Sequence, residues 1–166
     1  VSEDVTLNTA SPPVTANSYV IIHRMTVLTK GTTSVNVGII TATATTDSTV
    51  TAQIRVGQGQ TQMAIYGIPS TQTAYVGQIY FSANKAGGSA GLVDMLLLYN
   101  PEPDVERTKF LTKYTGGIQT VGTSAITRPY WVPNAFAGPG ILKVQALSGT
   151  NDMDVSGGFD LILVDN

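Results

Sequence analysis

An all-β, single-domain antiparallel sandwich is the fold the sequence predicts, on three observations. Short runs rich in Val, Ile, Thr and Tyr recur along the 166 residues. Clusters of Gly, Pro, Asn, Asp and Ser separate them, and no stretch repeats apolar residues at helical spacing. About nine or ten such runs in one domain close most simply as two facing sheets, and a jelly roll is the expected version. An extended arm is expected over residues 1–17, followed by the sandwich over residues 18–166.

Pro12-Pro13 disfavours a helix in the arm, which reads either as a segment that docks on a neighbouring subunit or as a frayed tail. Tyr19–Leu28 is the first predicted strand, apolar on both faces and therefore buried on two sides. A turn at Lys30-Gly31 leads to a Thr-rich strand over Ser34–Thr46, whose branching at Cβ suits a pleated surface. Thr49–Val56 alternates cleanly, with Val50, Ala52, Ile54 and Val56 expected to point inward. Met63–Ile68 and Thr73–Phe81 read as a hairpin around Pro69-Ser70-Thr71-Gln72, because proline cannot donate to a ladder and Ser and Thr close turns. Aromatic residues on both faces of Thr73–Phe81 mark it as a central strand.

Leu92–Tyr99 is expected to be a buried strand, and Asn100–Thr108, with two prolines and most of the local charge, a loop. Phe110–Tyr114, Ile126–Val132, Ile141–Leu147 and Phe159–Val164 complete the strands. Gly116-Gly117 ends the first of these, and Pro133–Gly140 is a turn-rich connection.

Charged residues are 12% of the chain, about half the usual share. The net charge of −2 offers no basic footprint for nucleic acid or an anionic membrane. A surface of neutral polar groups is cheap to desolvate, which points to protein–protein packing, most simply a homo-oligomer. The chain has no cysteine, hence no disulfide and no thiolate metal ligand.

No pattern carries catalysis. His23 is the sole histidine, and it shares a predicted strand face with Tyr19, Ile21, Met25 and Val27, so it reads as a buried or interface histidine and not a base. Glu102, Asp104 and Glu106 resemble a carboxylate pair for glycoside hydrolysis or oxygen ligands for calcium, but the preferred reading is a solvated loop with local partners. Asp152 and Asp154 lack the remainder of a calcium loop. No catalytic, cofactor-binding or metal-binding residue is assigned. The candidate partner contacts are Pro12 and Pro13 of the arm and the aromatic cluster Tyr130, Trp131 and Phe136, for which a core plug is the competing reading.

Three segments, SVNVGIITATATT at Ser34–Thr46, GQGQTQMAIYGIPSTQTAYVGQIYFSANKAG from Gly57, and the ending DVSGGFDLILVDN, resemble small β-rich virion proteins of tailed bacteriophages from aquatic hosts, including cyanobacteria. The resemblance implies a structural role on the outer surface of a phage particle and supplies no functional residues. Its expected form is a capsid decoration (cement) protein, a trimer bound between major capsid protein subunits. The alternative is the receptor-binding head of a tail or head fibre that recognises host glycans.

Overall fold

The computed structural model describes residues 2–8, 11–29, 32, 35–149 and 152–166. Every regular element among them is a strand: β1 (Ile40–Thr43), β2 (Val50–Ile54), β3 (Ile65–Ile68), β4 (Gln72–Lys85), β5 (Gly91–Asn100), β6 (Leu111–Thr120), β7 (Thr123–Ala137), β8 (Gly140–Ser148) and β9 (Met153–Asp165). All pairings are antiparallel. A four-stranded sheet, β3-β8-β5-β6, faces a three-stranded sheet, β7-β4-β9, and β1-β2 form a separate ribbon. β6 packs against β7 and β8 against β9, with β4 over the middle. The protein is therefore an antiparallel β-sandwich. A jelly roll places eight strands in its two sheets; four and three face each other here among the described residues.

The core lies between these sheets and is led by Phe81, Ile79, Met95, Leu97, Leu142 and Val76. β4 is its central strand, and one residue explains why its aromatics fall on both faces in the sequence. Gly77 is an extra residue between the pairs Val76↔Leu161 and Gln78↔Asp160. This bulge reverses the alternation. Ala74 and Val76 point inward before it, and Ile79, Phe81 and Ala83 after it. Tyr75 and Tyr80 consequently share the outer face.

The expected hairpin is not one. β3 pairs with β8 in one sheet and β4 with β7 and β9 in the other. The turn at Pro69 is tight, with the Gln72 amide donating to the Pro69 carbonyl at 3.1 Å, but the chain arches over the core there. The reason is that Ile68 on one side and Ala74 and Val76 on the other are all buried. The two strands thus face each other across the core, each hydrogen-bonded within its own sheet.

Tyr19–Leu28 is not a strand buried on two sides. It makes one isolated bridge, Thr26↔Gln60, supported by Val27 N–H to Gly59 O (2.8 Å) and Thr61 N–H to Met25 O (3.0 Å). Val20 and Leu28 are exposed. Apolar alternation qualifies a segment for a sheet, but a free edge must also be within reach. The Lys30-Gly31 turn and the start of Ser34–Thr46 lie outside the described residues; the remainder of that run is strand only over β1. In β2, Ala52 and Ile54 are buried as expected, whereas Val50 and, just beyond its end, Val56 are exposed.

Elsewhere the strands run further than the turn residues suggest. β6 continues through Gly116-Gly117, paired with Met95 and Asp94; a Cβ on Gly116 would press on the Tyr114 ring at 3.0 Å. β7 continues through Pro133 to Ala137, and β9 takes in SGG. Gly157 lies against Phe81, where an added Cβ would stand 3.0 Å from the ring. These glycines leave room for aromatic neighbours and do not end their strands.

Candidate interaction surface

The surface is built around a break in β7. Val76↔Asn134 is the last pair on one side and Gln78↔Pro129 the first on the other. Residues Tyr130, Trp131, Val132 and Pro133 thus stand opposite the single residue Gly77, and they loop out of the ladder. Pro129 and Pro133 bracket the loop. Neither can donate a backbone hydrogen bond, which is tolerated because β7 is an edge strand.

The expected cluster of Tyr130, Trp131 and Phe136 divides into three fates. Trp131 is 100% exposed and Val132 79%. Phe136 is buried, its ring 5.0 Å from that of Tyr99, so it is a core plug and cannot touch a partner without unpacking. Tyr130 is half-buried, and burial raises its hydroxyl pKa. The Arg128 guanidinium lies 5.9 Å from the Tyr130 ring and 5.1 Å from that of Tyr114, joining the base of the bulge to β6.

Next to the bulge, the outer face of the three-stranded sheet carries the row Ala135–Tyr75–Ile162. Ile162 is 71% exposed, and Val164 and Tyr75 are also exposed. An apolar row of this kind, adjoining a bare tryptophan, has the composition of an interface centre. Sequence reading missed Ile162 and Val164 because LILV reads as a buried run.

Pro12 and Pro13 are exposed, on an arm held by one carboxylate. Glu3 accepts hydrogen bonds from the Ala16 amide (2.9 Å), the Asn17 amide (3.0 Å) and side chain (2.6 Å), and the Tyr19 hydroxyl (3.0 Å). The Asn17 side chain, then the backbone donors, lower the Glu3 pKa. The prolines lie within the loop that this clamp closes.

His23 is exposed, contrary to the buried reading, with its ring 5.2 Å from that of Tyr66. Glu102 and Glu106 both pair with Lys109, at 3.8 and 3.3 Å. Their loop is braced by fully buried Asn100, which donates to the Glu106 carbonyl (2.7 Å) and accepts from the Glu102 amide (2.9 Å). Among the described residues no three His, Asp or Glu side chains come together as a cation site, and no helix is long and apolar enough to cross a membrane. Comparison of the chain with protein-family models, curated proteins and solved structures finds no match.

Proposed function

We propose that this chain is a non-enzymatic structural protein of a tailed-phage particle, a decoration (cement) protein of the assembled head. It sits on the outer surface as a homo-oligomer, a trimer, where major capsid protein subunits meet. The observation that carries the reading is Trp131, fully exposed on a proline-bracketed bulge beside the Tyr75–Ile162 row. The low charge of the chain and its resemblance to small β-rich phage virion proteins support it. Nucleic acid and membrane play no part.

The mechanism is mass action. A protein that binds the closed shell and not its separated subunits stabilises the shell by its binding free energy at each site. The test compares heads with and without the protein under heating and at low ionic strength. Heads lacking it are expected to open at lower temperature; equal resistance refutes the role.

The exposed indole also supports a second reading, a fibre head that stacks a sugar ring on Trp131. Saturable binding of the isolated protein to host-surface glycans, lost in Trp131→Ala, separates this reading from the first.

A further inference from the structure

A groove of about 970 Å³ opens between the two sheets where β8 passes β9, a size that suits a small-molecule site. Its depth is apolar. Met95 and Val144 reach it from one sheet, Phe159 and Leu161 from the other, and Tyr66 lies among them. Its rim is polar, with Arg24, Gln60, Gln62 and Asp160. Arg24 belongs to the Tyr19–Leu28 segment, which is a fixed wall. There the Met25 amide donates to Thr61 Oγ1 (3.1 Å), the Val27 amide donates to the Gly59 carbonyl (2.8 Å), and Ile21 lies against Gly67.

The groove stays open because β9 crosses it at Ser156-Gly157-Gly158, presenting backbone in place of side chains. A Cβ on Gly157 would stand 3.0 Å from the Phe81 ring and 3.2 Å from Met95, and one on Gly158 would press on the Tyr80 hydroxyl. The outer edge of β9 has no strand neighbour among the described residues. Along residues 155–161, which line the groove, main-chain donors and acceptors therefore point away from β4 with no ladder to take them. The rim side chains also keep free capacity. Arg24 and Asp160 form no ion pair with each other or with any other described residue. Asp160 accepts one hydrogen bond, from the Gln78 side chain at 2.7 Å, through only one of its oxygens. The Gln62 amide donates to Gln58 at 2.6 Å, and its carbonyl remains.

We propose that this groove binds a neutral saccharide. The C–H faces of a sugar ring lie against Phe159 and Tyr66. Its hydroxyls, each a donor and an acceptor, meet acceptor-only Asp160, donor-only Arg24 and the glutamines, which are both. Other ligand classes fit worse. An anion meets Asp160 and a cation meets Arg24, with neither sign in excess among these four rim residues. A fatty chain would cover the main-chain groups of β9 without pairing them, which costs free energy. A further peptide strand is kept from that edge by the Tyr19–Leu28 segment. The site is separate from the Trp131 bulge, since β4 stands between β7 and β9, and it holds whether or not the protein decorates heads.

The test is an amide NMR titration of the full-length protein with maltose, cellobiose, lactose, chitobiose and mannobiose, with glucuronate and glucosamine as charged controls. At least one neutral disaccharide is expected to shift the amides of residues 60–66 and 156–161 saturably below about 10 mM, which corresponds to a millimolar Kd or tighter. Arg24→Ala and Asp160→Asn, both at exposed positions, are each expected to weaken binding about tenfold. Trp131→Ala should leave it unchanged. The absence of a saturable shift with any of these disaccharides overturns the proposal, as does equal binding of either charged sugar. Binding lost in Trp131→Ala but kept in Arg24→Ala and Asp160→Asn also overturns it, because the sugar would then sit on the bulge.

Discussion

Gly138 and Pro69 approach so closely that a Cβ on Gly138 would overlap the Pro69 carbonyl oxygen. The Gly138 amide donates to the Gln72 carbonyl at 2.9 Å. The end of β7 is thereby threaded beneath the arch that carries the chain from β3 to β4. Because the obstacle is backbone on both sides, no side chain can move aside. Gly138→Ala is expected to destabilise the fold by about 3 kcal/mol, the upper end for an overpacked site. Urea denaturation checks this, and a change under about 0.5 kcal/mol would show that the arch can shift.

Phe136 and Trp131 are five residues apart on one strand but answer to different demands. Phe136→Ala is expected to cost about 3–5 kcal/mol of stability, because it empties a buried site against Tyr99. Trp131→Ala should change stability by less than about 0.5 kcal/mol and weaken partner binding by about 2 kcal/mol or more, near thirtyfold. As the sole tryptophan, Trp131 supplies its own readout: water-exposed emission in the free protein and a blue shift on binding. A blue-shifted free protein would contradict the exposed position.

Asn100 is the buried polar residue on which the acidic loop is built. Asn100→Ala removes a donor and an acceptor at once and leaves the Glu106 carbonyl and Glu102 amide to find water. A loss of about 1–3 kcal/mol is expected, with faster hydrogen exchange at residues 102–106. Unchanged exchange there would mean that Lys109 and the loop's own backbone hydrogen bonds, such as Glu106 N–H to Glu102 O (2.8 Å), suffice to hold it.

The arm responds to acid through Glu3. Its hydrogen bonds from Asn17, Ala16 and Tyr19 hold the folded-state pKa below the ordinary carboxylate value. The clamp is therefore complete above the unfolded pKa and is lost as pH falls through the lowered folded value. Protection of the Ala16 and Asn17 amides, taken relative to their intrinsic exchange rates at each pH, should fall across that window, and Glu3→Gln should lower it already at neutral pH. Protection independent of pH in the parent protein would remove Glu3 from this role.

Much of the sandwich was legible because burial on one or two faces writes period-two patterns into β2, β4, β5 and β8. Partnership was not. The pattern of Tyr19–Leu28 states that the segment suits a sheet but not that an edge is free, and Met63–Ile68 with Thr73–Phe81 looks like a hairpin until the core requires an arch. Glycines and prolines misled in a consistent direction. Gly116, Gly157 and Pro133 punctuate the sequence, yet each lies inside a strand, where small size or an edge position removes the usual objection. The candidate surface was half visible: Trp131 stands out by composition, but only the four-against-one mismatch across from Gly77 shows which aromatic faces water and which fills the core.

Equilibrium binding to purified heads, followed by Trp131 emission, decides whether the chain acts on the assembled shell. Saturable, stoichiometric binding to assembled heads with a blue shift, and none to dissociated major capsid protein, is the predicted result. Equal binding to free subunits, or no binding to heads at concentrations where the protein is assembled, would contradict it.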